Sequence, residues 1–110
     1  MKISLKETEA FDLGAFKGNV YVHKDENRAF TSFFVDCLTK HHKVRLTGTT
    51  RVYFVMEGSG TFTINERTIS AEKYDFFLIK DGDTYSYMGT MKLFSFSIPA
   101  ADLSNEEKLD

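Results

Sequence analysis

The sequence predicts a single all-β domain closed into a sandwich or barrel, and three observations carry that expectation. The chain has 110 residues, enough for one core and too few for two. Phenylalanine occurs 11 times, tyrosine five times and tryptophan not at all, and aromatic side chains suit the pleated, half-buried surface of a sheet. From residue 18 to residue 98 the apolar pattern alternates with a period of two, in short runs separated by turn residues, and no stretch of that span has an amphipathic helical period.

The runs follow one another in order. Gly18 to His23 reads as a short strand. Arg28 to Leu38 places Phe33, Val35 and Cys37 on one face and Phe30, Phe34 and Leu38 on the other, so both faces are expected to be covered. His42 to Leu46 is a strand ended by Thr47-Gly48-Thr49. Arg51 to Glu57 leads into Gly58-Ser59-Gly60, which reads as a tight turn because glycine takes positive φ without steric cost. Thr61 to Ile64 is the return, Asn65-Glu66 a turn, and Arg67 to Ser70 the next strand. Phe76 to Ile79, Thr84 to Tyr87 and Lys92 to Ile98 complete the set, with Asp81-Gly82-Asp83 as a turn. Pro99 stops the last strand because it has no N–H to donate. The expected organisation is an N-terminal arm over 1–17, a barrel over 18–99 and a polar tail over 100–110.

Composition narrows the function classes. With 42% hydrophobic residues a packed globule is expected. No apolar run approaches the roughly 20 residues needed to span a bilayer, so no membrane partner is expected. Met1 to Glu7 has no apolar core of the secretory type. A net charge of −2 with scattered basic residues leaves no footprint for nucleic acid. The single cysteine, Cys37, cannot close an internal disulfide, and a cytoplasmic location is expected.

Two segments carry a resemblance. Thr50 to Phe62 is similar to the heart of the first motif of the cupin family, in which a strand preceded by two histidines and a glutamate runs into a glycine-containing hairpin. Lys73 to Tyr87 resembles the second motif, with Asp75 and Gly82 standing where the family has its Asp and Gly. The resemblance covers residues 18–99 and implies a cupin-type double-stranded β-helix, a single-domain jelly-roll barrel. The departures from it matter as much. Counting back from Gly58, the family's glutamate falls on Arg51, and its two histidines fall on Arg45 and Thr47, or on Val44 and Leu46 if the gap is one residue longer. The histidine of the second motif falls on Tyr85. None of these is a usual metal ligand, and a guanidinium has no lone pair to give. No metal and no cofactor are expected.

Alternate residues of a closed barrel point inward. The ligand-position register therefore turns Arg45, Thr47, Arg51 and Tyr85 into the barrel mouth, and the period of two adds Tyr53 and Tyr87. Guanidinium forks match carboxylate or phosphate, and tyrosine offers an apolar face with a hydrogen-bonding tip. The expected ligand is a sugar, a sugar phosphate or another small anion. The competing reading is an internal polar network with Asp36, Asp75 or Glu57. Adjacent His41 and His42 read as a solvated strand start, His23 as a strand end, Cys37 as core, and Asp81-Gly82-Asp83 as a turn that lacks the later acidic ligands of a calcium loop.

The first functional expectation is a small-molecule-binding or sensor module. The alternative is a metal-independent sugar isomerase or epimerase, a chemistry that related metal-free cupins perform with a histidine base and a tyrosine acid. Tyr53, Tyr85 and Tyr87 are available as acids, no histidine falls at a motif position, and no catalytic residue is assigned. A third is a structural dimer without a ligand. A homodimer is expected, by pairing of open sheet edges or exchange of Ile3-Ser4-Leu5, with the phenylalanine-rich strands spilling over into the interface. Elemental analysis of the purified protein should find no stoichiometric transition metal. About one iron, manganese, zinc or nickel per chain would overturn the motif register, and His23, His41 and His42 would be the first ligands to test.

Overall fold

Two strands of 15 residues frame the computed structural model, which describes residues 1–25 and 29–110. In chain order the strands are β1 (Glu9–Asp12), β2 (Phe16–Val22), β3 (Thr31–Cys37), β4 (Lys40–Leu46), β5 (Thr50–Ile64), β6 (Arg67–Ala71), β7 (Phe76–Ile79), β8 (Thr84–Ile98) and β9 (Glu106–Lys108). Single 3-10 turns occupy Leu5–Glu7 and Leu103–Asn105. Every pairing is antiparallel. β8 pairs with β5 along nearly its whole length; its first half also pairs with β4 and its second half with β3. The first half of β5 pairs with β7 and the second with β6. One sheet thus curls on itself around a core that includes Val35, Val44, Val55, Phe62, Met91 and Leu93. No helix among the described residues is long and apolar enough to cross a membrane.

The long strands correct the expected turn at Gly58-Ser59-Gly60, and the break expected between Tyr87 and Lys92. β5 and β8 run straight through both places, with Gly60 paired to Gly89 and Ser59 to Thr90. The glycines are needed for the close approach of two backbones. A Cβ on Gly58 would stand 2.0 Å from the carbonyl oxygen of Thr90, and one on Gly60 would stand 2.1 Å from that of Met88. A bulge between Val55 and Glu57 shifts the register by one residue. Before it, Arg51, Tyr53 and Val55 share a face with Leu93, Ser95 and Ser97; after it, Phe62 and Ile64 share that face with Tyr85 and Tyr87. The extra residue lets one strand serve both halves of the barrel interior.

The sheet reaches past both ends of the expected barrel segment. Glu9–Asp12 pairs with Lys17–Val20, and Glu106–Lys108, in the segment expected as a polar tail, pairs with Val44–Leu46. Leu5 lies in a 3-10 turn whose Ser4 N–H and hydroxyl donate to the Glu7 carboxylate. β3 alternates as the sequence predicts from Thr31 onward; Arg28, the first residue of the expected strand, lies outside the described residues.

Gly60→Ala should therefore destabilise the fold by about 3 kcal/mol, because backbone rather than a pliable side chain fills the space. Gly14→Ala, with open space at φ +83, should cost only about 1–2 kcal/mol from its left-handed backbone. Urea unfolding of both variants checks the difference, and equal costs would mean that the strands can separate at the crossing.

Candidate functional site

The inner face of the sheet and the C-terminal segment enclose a cavity of about 550 Å³. Its polar lining includes His41 and His42 of β4, Arg51 and Tyr53 of β5 and Tyr87 of β8; Phe11, Phe16, Phe33 and Val35 supply apolar walls, and Leu103 and Glu106 come from the C-terminal segment.

Arg51 points inward because it shares the phase of Tyr53 and Val55 on β5, and it is 4% exposed. Its Nε–H donates to Ser97 Oγ at 2.9 Å, and Nη1 donates to the Tyr85 hydroxyl at 2.9 Å. That hydroxyl shares a further hydrogen bond of 3.0 Å with the hydroxyl of Tyr53. The guanidinium also lies over the Phe33 ring, 5.0 Å from its centroid. No carboxylate among the described residues comes within ion-pair distance of it. Burial opposes the charge, but the hydroxyl groups of Tyr85 and Tyr53 outweigh it, and the guanidinium is held more firmly protonated than an ordinary arginine. Two of its five N–H donors are committed to side chains, and the residue lines the cavity.

His41 is 8% exposed, in a stack with Tyr87 and Tyr85 at 4.8 and 5.6 Å between ring centroids. Burial, with the nearby His42 and Arg51, lowers its pKa to about 4, so the ring is neutral at pH 7. Its Nδ1 lies 2.7 Å from the His42 carbonyl oxygen. A carbonyl only accepts, so Nδ1 carries the proton and the lone pair sits on Nε2. Burial, reinforced by Tyr85, pushes the phenols of Tyr53 and Tyr87 well above the usual tyrosine range, and both keep their protons. The Tyr87 hydroxyl is buried and makes no hydrogen bond among the described residues, although Tyr53 lies near enough to act on it.

Four of the six residues expected at the barrel mouth, Arg51, Tyr53, Tyr85 and Tyr87, converge here; Tyr85 stands behind Arg51. Arg45 and Thr47 do not. Thr47 is exposed, and Arg45 turns outward, with Nε donating to the Gly82 carbonyl at 3.2 Å and Nη1 3.7 Å from the Glu107 carboxylate. The reason is a bulge between His41 and Val44. It places His41 and then Val44 and Leu46 on the inner face, the register with the longer gap. The same bulge corrects the reading of His41 as a solvated strand start. Alternation of Val44 and Leu46 with Lys43 and Arg45 was a visible signal for the even phase; nothing in the sequence marks the extra residue that turns His41 inward.

The carboxylates of the competing polar network lie elsewhere: Glu57 pairs with Lys92, and Asp75 accepts from the Glu72 N–H. Cys37 is fully buried, and burial, with the charge of Asp36, raises its thiol to about 11, so it stays protonated at pH 7 as a core residue does. Asp81 and Asp83 accept from the backbone of Gly48 and Lys80 in a turn. Among the described residues no three His, Cys, Asp or Glu side chains converge as a metal site.

No protein-family model matches the chain, and no curated protein matches it by sequence. Solved structures do match. Pac13, a nucleoside dehydratase, superposes with a TM-score of 0.91 at 21% identity over 99% of this chain and 90% of its own. A variant of that Streptomyces protein with uridine gives the same TM-score at 20% identity, covering 99% and 89%. The Schizosaccharomyces pombe Cnp3 cupin domain superposes with a TM-score of 0.75 at 16% identity over 94% of this chain and 75% of its own. The fold is that of the cupins. Arg51, Tyr85, Val44 and Leu46, four of the positions that the sequence resemblance aligned with metal ligands, all lie buried on the inner face.

The neutral state of His41 makes stability depend on pH. Below its ordinary value of about 6.5 the unfolded chain takes up a proton that the folded chain refuses until about pH 4. Stability should fall by about 2–3 kcal/mol between pH 7 and pH 4.5 from this group alone. His41→Phe, which keeps a ring in the stack, should remove that part of the difference in urea midpoints; an unchanged slope would place the sensitivity elsewhere.

Proposed function

We propose that this barrel is a metal-independent acid–base enzyme acting on a small hydroxylated molecule, a nucleoside or sugar that bears a carbonyl or anionic oxygen. One observation carries the reading: His41, neutral with its lone pair on Nε2, Tyr87, protonated with a buried hydroxyl that makes no hydrogen bond among the described residues, and the buried Arg51 guanidinium belong to residues lining one cavity. These are a base, an acid and an oxyanion partner. In the reaction that suits them, His41 removes a proton from the carbon beside a carbonyl. The electron pair moves into the new C=C bond as the C–O bond of the β-hydroxyl breaks. Tyr87 protonates the departing hydroxide, and water leaves. Arg51 and Tyr53 face the negative charge that builds on the carbonyl oxygen, and proton exchange with solvent resets His41 and Tyr87. Return of the proton to the same carbon would instead give an isomer or epimer.

The cupin neighbours support the substrate class. A nucleoside dehydratase is among them, and uridine-bound variants of it carry a single tyrosine-to-phenylalanine or histidine-to-glutamine substitution, the residue types that meet in this cavity. A binding or sensor module would use the same pocket, with Arg51 as its anchor, and differs only in lacking turnover.

Two measurements separate these readings. With a nucleoside or sugar carrying a carbonyl and a β-hydroxyl, mass spectrometry should show loss of water, or uptake of deuterium from heavy water. His41→Gln and Tyr87→Phe should each lower kcat by about a hundredfold or more, with ligand binding retained. The acid limb of kcat/KM should lie near pH 4, where His41 titrates. Binding without water loss or isotope exchange would leave the sensor module. Arg51→Met should weaken binding of an anionic or carbonyl ligand by about 2 kcal/mol, roughly thirtyfold. A calorimetric screen that finds only cationic ligands would defeat the anchoring role of Arg51.

A further inference from the structure

The outer face of the sheet is apolar to an extent the barrel itself does not use. Phe76 of β7, Phe54 of β5, Phe94 of β8 and Phe34 of β3 are register partners, so four phenylalanines stand in one row across four strands. Leu78, Val52 and Phe96 make the next row, which ends at Ser32 of β3. Phe76 is 59%, Leu78 47% and Ile98 54% exposed. Tyr74 stacks on Phe54 with ring centroids 6.2 Å apart and is 68% exposed. Charge lies at the margins, in the row Asp36, Lys92 and Glu57 and in Lys73, whose ammonium stands 5.0 Å from the Tyr74 ring centroid.

We propose that this face is the contact surface of a two-fold homodimer. With a whole aromatic residue counted at about 150–250 Å², Tyr74, Phe76, Leu78, Phe94 and Ile98 leave roughly 500 Å² of apolar surface bare. That is near the upper end of what a monomer usually shows. It is also about 60% of the ~800 Å² that each partner gives to a standard interface, which is the apolar share such interfaces have. A second copy is the occupant that fits. The centre of the patch offers no charge for a differently charged partner to recognise, and a two-fold axis lays the same phenylalanine row on itself as two sheets packed face to face. The contact differs from the edge pairing or strand exchange expected from the sequence, because it uses side chains of the sheet face and leaves the N-terminal segment in place.

Sedimentation velocity of the full chain at tens of micromolar tests it. The wild type should sediment at twice the monomer mass. Phe76→Lys and Leu78→Lys should each weaken the dimer by about thirtyfold, as central interface residues do, with circular dichroism unchanged because both side chains are already exposed. Ile69→Lys, on β6 away from the row and 42% exposed, should leave the dimer intact. A monomeric wild type overturns the proposal. So does a dimer that survives both substitutions on β7, which would move the contact to a strand edge, or one that Ile69→Lys disrupts equally.

Discussion

The ladder between β5 and β8 joins the two halves of the barrel, and the bulge at Met56 sets what that ladder can hold. In a sheet the side-chain period is two, so one added residue moves every later residue to the opposite face. Without the bulge, Arg51 and Tyr53 would lie inside while Phe62 turned outward. With it, Arg51 reaches Tyr85 across the interior, and the Tyr85 hydroxyl reaches Tyr53. The glycine crossing of Gly58, Gly60 and Gly89 belongs to the same constraint, since the two backbones approach too closely for a Cβ. The polar cluster is thus a consequence of register before it is a matter of side-chain chemistry.

A buried guanidinium with no carboxylate at ion-pair distance among the described residues is an expensive feature. Here it is offset by two hydroxyl acceptors and the face of Phe33. The same dry surroundings act on its neighbours in opposite senses. They strip the proton from His41 and keep the protons on Tyr53 and Tyr87, because in each case burial favours the neutral form. One environment therefore yields a fixed cation, a neutral base and neutral acids within a single cavity, the separation of roles that acid–base chemistry at pH 7 requires.

The two faces of the sheet divide the aromatic residues by task. Inside, the hydroxyls of Tyr85 and Tyr53 meet Arg51 and each other, among a core that also holds Phe16, Phe62 and Phe77. Phe34, Phe54, Phe76 and Phe94 make an outer row, where no polar partner is needed. The apolar outer rows and the buried guanidinium inside are complementary: the interior is organised around an electrostatic problem, and the exterior around an area problem.

The alternation of Arg51, Tyr53 and Val55, and of Tyr85 and Tyr87, was enough to place four site residues on an inner face, and the resemblance of two segments to the cupin motifs implied the cupin barrel. Those readings hold because strand periodicity is a local property of a chain. Arg45, Thr47 and His41 were misplaced for one physical reason. A bulge adds a residue without a distinctive side chain, so the phase of β4 beyond His41 is settled only when Val44 and Leu46 pack into the core and β8 pairs with both segments. The neutral state of His41 and its tautomer likewise depend on burial and on a carbonyl one residue away in a bulged strand. By itself the sequence determined the fold class, the inward arginine and the tyrosines around it; the tertiary structure alone decided that a histidine joins them, because register across a bulge is a property of the paired strands and not of either one.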